Sequence, residues 1–277
     1  MNSTSNRFDF ASSIVKEAAV EAKQKFSDWK YLSVTEKGAQ DFVSEVDKVT
    51  EIFLRDKIES EFSGDGIVGE EFGIKNEASR YQWVLDPIDG TANFISGVPA
   101  WCIVIAIVLE DEVAAGIIYD PNQDELFSAM LNSGAFLNGT LLKKSKSFDI
   151  SKTTLSVGYS GRTTTKPVLA VIKDIFNLGG VFSRNGSGAL SLAHVADQRY
   201  GGYIEHHMNA WDCLAGQLII REAGGIIESQ SAREMIQLGG RVIAGWPGVY
   251  EHLQEMADSH FGEDDLIRSA LGKAPSP

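Results

Sequence analysis

Across residues 10–26 the apolar side chains Phe10, Ile14, Ala18, Ala22 and Phe26 recur every four positions, with Lys and Glu between them. That spacing lines one face of a helix and predicts an amphipathic helix packed on a core. Lys37-Gly38 then begins a polar loop, and a second helical pattern opens at Ser44-Glu-Val-Asp47 and continues through Ile52, Phe53, Ile58 and Phe62. Beyond it the period shortens to that of strands. Ile67-Val68 and residues 83–85 read as short buried strands, and Cys102–Leu109 with 113–119 as a hairpin joined by Glu110-Asp111. Segments 124–131 and 134–142, the latter interrupted by Asn138-Gly139, add antiparallel material. The first half therefore predicts two helices over a largely antiparallel sheet.

After the loop at 143–146 the rhythm changes. Strand-like stretches at 154–157, 181–182, 203–204, 225–227 and 242–244 alternate with helical ones at 168–176, 190–196, 212–223 and 249–256. Such alternation predicts a smaller α/β lobe. The expected division is 1–146 and 147–277, the lobes sharing one compact unit, with 272–277 frayed.

Composition narrows the function classes. The chain has 277 residues, 43% of them hydrophobic, enough for a sizeable core. Its longest apolar run, 98–109, is a buried-strand candidate, far short of the ~20 residues of a bilayer span, so no membrane association is expected. The N-terminus lacks the apolar core of a signal peptide, and the two cysteines, Cys102 and Cys213, have no metal spacing, which places the protein in the cytoplasm. A formal net charge of -13 disfavours nucleic acid as a partner. It would equally repel a phosphate ester unless bound cations invert the local field.

The chemistry concentrates in Trp83-Val-Leu-Asp86-Pro87-Ile88-Asp89-Gly90-Thr91. Pro87 denies the strand a donor and bends it away, so the strand is expected to end where the acids begin. Asp86, Asp89 and the Ile88 carbonyl can then face one point, offering hard oxygens that suit Mg2+ or Mn2+ better than zinc. Gly90 and Thr91 allow close backbone approach and a hydroxyl contact. Taken alone, such a segment is more often an ordinary turn. Gly69-Glu70-Glu71 upstream and Trp211-Asp212 downstream change that.

With those motifs the sequence resembles the inositol monophosphatase family, whose two signature segments look like residues 83–96 and 211–225; the likeness runs from about Phe10 to about Phe261. It implies an αβαβα layered sandwich and Mg2+-dependent hydrolysis of a small phosphate monoester, with myo-inositol 1-phosphate foremost. Related activities on histidinol phosphate, fructose 1,6-bisphosphate or 3'(2'),5'-bisphosphate nucleotides stay open, as does a non-catalytic metal- or phosphate-binding regulator. By resemblance, Glu70, Asp86 and the Ile88 carbonyl hold one Mg2+, and Asp86, Asp89 and Asp212 hold a second. A weaker third ion lies near Glu70, Glu71 supports Glu70, and Asp47 with Thr91 activates the attacking water. Lithium inhibition and a homodimer are further implications. Two residues carry a bland reading as well, because Asp47 follows Ser44 as in a capping box and Asp212 stands at a helix start. Lys37 matches a family lysine near the metal loop, and is by default a solvated charge.

Substrate contacts implied by the resemblance are Asp89, Gly90, Thr91, Arg184, Gly186, Ser187, Gly188, Glu205 and Asp212. Arg184 to Ala189 is a glycine-rich helix start of a kind that binds anions or hydroxyls. Glu205 suits a polyol or an ammonium group and would repel a second phosphate. Gly188, where the family commonly has alanine, and Leu214, where it usually has a small residue, depart from the pattern. His194, His206 and His207 do not read as a zinc site, the last two being adjacent and pointing apart on a strand.

Overall fold

The computed structural model describes residues 3–262 except 33, 39, 40 and 144–146, with the backbone alone for 34–38 and 41–43. The Lys37 side chain, most of the 143–146 loop and the 272–277 tail therefore lie outside the described residues. The first predicted helix is α1 (Thr4–Ser27), started by the Ser3 side chain accepting from the Asn6 N–H. Lys37 and Gly38 belong to a strand, because β1 (Val34–Gly38) pairs antiparallel with β2 (Asp41–Ser44). This ribbon lacks the apolar alternation that would announce it. Ser44 then caps α2 (Glu45–Glu61).

Next come β3 (Gly66–Gly69), β4 (Gly73–Lys75) and β5 (Tyr81–Asp89), followed by the short α3 (Thr91–Ile95). The hairpin of β6 (Cys102–Leu109) and β7 (Glu112–Asp120) is as expected, and β8 (Glu125–Met130), β9 (Ala135–Leu137) and β10 (Thr140–Leu141) complete the sheet. Its order is β10-β9-β8-β7-β6-β5-β3-β4, and β3 with β5 is its parallel pair. β5 outruns the three residues expected of it. Pairing with β3 stops at Leu85, and pairing with β6 shifts register between Asp86 and Asp89, so Pro87 is tolerated at a bulge.

The remaining elements are β11 (Thr154–Val157), α4 (Thr165–Asn177), β12 (Val181–Ser183), α5 (Gly188–Ala196), β13 (Gly202–Met208), α6 (Ala210–Ala223), β14 (Ile226–Ile227), α7 (Ala232–Leu238), β15 (Gly240–Gly245) and α8 (Tyr250–His260). A second sheet, ordered β12-β11-β13-β15-β14, takes the five strands.

Five layers result, and β6 shows why. Its odd residues Ile103, Ile105 and Ile107 join a core with α1 and α2, while Val104, Ala106 and Val108 join another with α5 and α6. Each of the buried Ile and Val side chains stabilises by about 1.5–3 kcal/mol. The α5–α6 core reaches Tyr203, Val242 and Ala244 of the second sheet, whose outer face packs on α4 and α8 through Leu155, Ile204, Ile243, Val171 and Leu253. The fold is thus a helix–sheet–helix–sheet–helix sandwich. The α5–α6 layer lies between the sheets, and the ends of β5, α5 and α6 meet beside it.

Candidate metal centre and substrate cleft

Asp86, Asp89 and Asp212 each bring a carboxylate oxygen within 4.8 Å of the others. Three elements in two layers, β5 of the first sheet and α5 and α6 of the middle helix layer, fix them. The bulge in β5 turns Asp86 back so that its Oδ1 accepts the Ile88 N–H at 3.0 Å. Asp89 Oδ2 accepts from the Ser187 hydroxyl and, at 2.7 Å, from the Ala189 N–H, so this carboxylate sits on the N-terminus of α5. Asp212 is the third residue of α6, where it accepts the Asn209 N–H at 3.2 Å in a capping box. The helix-start reading of Asp212 and its place in the acid cluster are both realised.

Burial raises all three pKa values, and charge raises two of them further. Burial is foremost for Asp86, followed by the charges of Glu70, Asp89, Asp212 and Asp47. Burial also raises Asp89, against the hydrogen bonds from Ser187 and Ala189. Asp212 is pushed up to about 7 by burial and then by Asp89, with Arg162 opposing. Like charges ~4 Å apart repel by ~4 kcal/mol at an effective dielectric of 20. A largely buried all-oxygen set under that repulsion fits a hard divalent cation such as Mg2+.

Glu70 stands beside Asp86, as its effect on that carboxylate requires, but outside the trio. Its N–H donates to the Leu85 carbonyl at 3.3 Å, joining the two acid-bearing segments. Asp47 divides its oxygens: Oδ2 accepts the Ser44 N–H at 2.9 Å, closing the capping box, while Oδ1 lies 2.9 Å from Thr91 Oγ1. The capping reading and the pairing with Thr91 therefore coexist in one buried carboxylate, whose pKa burial raises. Thr91 Oγ1 is also 3.0 Å from the Ile88 carbonyl oxygen. Gly90, at φ 100° in the left-handed region, lets the chain turn from β5 into α3 at this point.

A cleft of about 140 Å³ opens beside the trio, lined by Asp89, Asp212, Arg162, Arg184, Tyr203 and Glu205 among others. Gly186, Ser187 and Gly188 also line it, whereas Gly90 and Thr91 lie on the acid side. Ser187 is buried and its hydroxyl is committed to Asp89, so it holds that carboxylate in place. Tyr203 donates its hydroxyl to Glu205 Oε2, and Arg184 Nη2 reaches the Tyr159 carbonyl at 3.1 Å. Burial pushes Glu205 up to about 7, with Asp212 adding to the rise; the Tyr203 hydrogen bond and then Arg184 and Arg162 oppose it. The Gly188 departure has a physical partner, since a Cβ there would lie 2.5 Å from the Met208 methyl. Leu214 is buried in the α5–α6 core. His194 packs edge-on against Phe127 and Tyr200, and His206 stacks on Phe261.

Three features of the site carry no motif in the sequence. Arg162 sits in the turn before α4, with no periodicity to mark it. The tie from Ser187 to Asp89 spans 98 positions. Glu51, fully buried on α2, accepts the Glu71 N–H at 2.7 Å and the Phe72 N–H at 3.2 Å. A glutamate four residues after Asp47 was the available signal.

A family model described as the inositol monophosphatase family matches residues 4–261. The Nus factor SuhB of Escherichia coli (strain K12) is 36% identical over 221 residues, 79% of this chain and 83% of that protein. An inositol-1-monophosphatase of Mesorhizobium japonicum is 33% identical over 239 residues, 84% of this chain and 90% of its own length. Among solved structures, the extragenic suppressor protein SuhB of Bartonella henselae superposes with a TM-score of 0.82 at 28% identity, covering 90% of this chain and 96% of that one. The Thermotoga maritima IMPase gives 0.80 at 26% identity, covering 92% and 97%. The chain belongs to the inositol monophosphatase family, a family of Mg2+-dependent phosphatases.

Proposed function

We propose that the protein hydrolyses a small phosphate monoester, with myo-inositol 1-phosphate the foremost candidate. The observation that carries this reading is the convergence of Asp86, Asp89 and Asp212 beside a polar cleft. In it, Glu70, Asp86 and the Ile88 carbonyl would hold one Mg2+ and Asp86, Asp89 and Asp212 a second, and a third, weaker ion would sit near Glu70. When bound, Mg2+ supplies the Lewis acidity and positive charge that in-line displacement at phosphorus needs. Thr91 Oγ1 orients the attacking water, and Asp47 Oδ1, 2.9 Å from that hydroxyl, takes up the proton. The N–H groups of Gly90 and Thr91 face the phosphate. Arg184, Gly186, Gly188 and Glu205 meet the organic part, and Ser187 acts there through Asp89.

A homodimer, lithium inhibition, a cytoplasmic location and a division of labour between 1–146 and 147–277 belong to the same proposal. No helix of the described residues is long and apolar enough to cross a membrane. The decisive assay is phosphate release from inositol 1-phosphate with Mg2+, abolished by chelator and by Asp89→Asn. Parallel reactions with histidinol phosphate, fructose 1,6-bisphosphate and adenosine 3',5'-bisphosphate rank the substrates. A second reading, a binder of metal or phosphate without turnover, is favoured by the name of the E. coli relative, which is not that of a hydrolase. Tight metal binding with no release from any of these esters would establish it. The net charge of -13 disfavours a nucleic-acid surface, and a small anionic ester would need bound cations to invert the local field.

A further inference from the structure

The buried face of α2 carries two acids one turn apart, and each reaches a different segment of the acid cluster. Asp47 holds the turn after β5 through Thr91. Glu51 holds the segment after β3, its two oxygens accepting the N–H groups of Glu71 and Phe72, the residues that follow Glu70. Arg55 completes the arrangement: its Nε lies 2.7 Å from Glu51 Oε1, and its Nη2 donates to the Gly73 carbonyl at 2.5 Å. Glu51 is fully buried and Arg55 is 9% exposed. Space is reserved for the pair, since a Cβ on Gly69 would meet Glu51 Oε1 at 2.0 Å.

A buried carboxylate with this many donors is costly to disturb, because each orphaned N–H keeps its desolvation penalty. Glu70 is thus fixed on both sides, by its own N–H on Leu85 and by its neighbours' N–H groups on Glu51. We propose that Glu51, steadied by Arg55, is a positioning residue for Glu70, so that a single helix sets the spacing between Glu70 and the Asp47–Thr91 pair. The inference rests on the reading of Glu70 as a metal ligand. Outer partners of metal ligands typically alter metal affinity 10- to 100-fold when removed.

The test is Mn2+ binding followed by electron paramagnetic resonance, alongside the Mg2+ dependence of phosphate release, in full-length Glu51→Gln, Arg55→Met and Glu70→Gln. Expected for Glu51→Gln is an Mn2+ affinity and half-saturating Mg2+ concentration weakened about tenfold or more. Hydrogen exchange at the Glu71 and Phe72 amides should accelerate, with KM for the ester at saturating Mg2+ unchanged. A merely structural role would lower the melting temperature and leave the metal titration where it was, which overturns the proposal. Should Glu51→Gln not fold, Arg55→Met must weaken Mn2+ binding in the same direction, and an unchanged affinity there overturns it too. Glu70→Gln separates the ligand role of Glu70 from the positioning role of Glu51. Unchanged Mn2+ binding in that variant removes the ligand reading, while weakened binding there with normal binding in Glu51→Gln removes only the positioning role.

Discussion

The two walls of the site differ in how fully the fold commits their charges. On the acid-bearing wall, built by α2 and β5 and reaching the cleft at Asp89, Asp47, Asp86 and Asp89 are each tied by a backbone N–H or a hydroxyl of the fold. On the wall built around β13 and the turn before α4, Glu205 has the Tyr203 hydroxyl and Arg184 the Tyr159 carbonyl, while Arg162 pairs with no side chain among the described residues. Rigid carboxylates are what a metal centre requires, since its ligands must be in place before the ion arrives. Uncommitted charge is what a recognition surface requires, since its partner comes from solution. The metal wall should therefore govern turnover, and the opposite wall affinity.

The sharpest way to break this division is Asp86→Asn, which keeps an oxygen for the Ile88 N–H and removes the charge. Turnover should fall about a thousandfold or more. With chelator present, the variant should melt above the wild type, because a buried charge crowded by Glu70, Asp89 and Asp212 is gone. Turnover within tenfold of wild type would mean the trio is not the reaction centre. Asp47→Asn comes next, with kcat lowered by about 10²–10⁴ and KM held, as expected for loss of a proton acceptor. Thr91→Ser should retain most activity and Thr91→Val should not. A rise in KM alone would move Asp47 to the binding wall.

How much of this was legible in the sequence follows the same division. The acid-bearing wall is written locally, since Asp86, Ile88, Asp89 and Thr91 fall within six residues, although Pro87 reads there as the end of a strand and not as a bulge within it. The fold was also readable where periodicity was strong, as in α1 and the β6–β7 hairpin. It was not where partners decide: β5 runs on to Asp89 only because β6 tolerates a register shift, and β1–β2 form a ribbon without apolar alternation. Glu51 and Arg55, four apart on a helix, look like a surface ion pair until burial is known. The binding wall was legible at the glycine-rich start of α5, Arg184 to Gly188, whereas residues 156–162, Arg162 among them, join it with no motif to mark them.

Glu205 offers a thermodynamic test of that wall. Its pKa rises from 4.5 to about 7 on folding, so between those values the folded state holds a proton that the unfolded chain releases. The stabilisation is complete below pH 4.5 and lost as pH climbs through about 7, to the extent of about 3 kcal/mol at 1.36 kcal/mol per unit. In chelator, urea midpoints of the wild type should decline across this window more steeply than those of Glu205→Gln. Parallel declines would mean that Glu205 is charged throughout and already paired within the fold.

The smallest effect is expected at Arg162, and it bears most directly on the contrast between the walls. Its charge reaches Asp212 and Glu205 strongly enough to oppose the rise in both of their pKa values. Yet it is satisfied by neither, so its guanidinium keeps donors for an incoming anion. Arg162→Ala should raise KM for a phosphate ester about tenfold, which corresponds to ~1.4 kcal/mol, and leave kcat nearly unchanged. The increment should shrink as salt is added, because part of it is attraction before contact. Arg162→Lys keeps the charge and loses the fork, and should fall between the two if geometry matters as well as sign. A fall in kcat at constant KM would place Arg162 with the rigid carboxylates, acting on Asp212 instead of on the ligand, and the separation of turnover from affinity between the walls would fail at that residue.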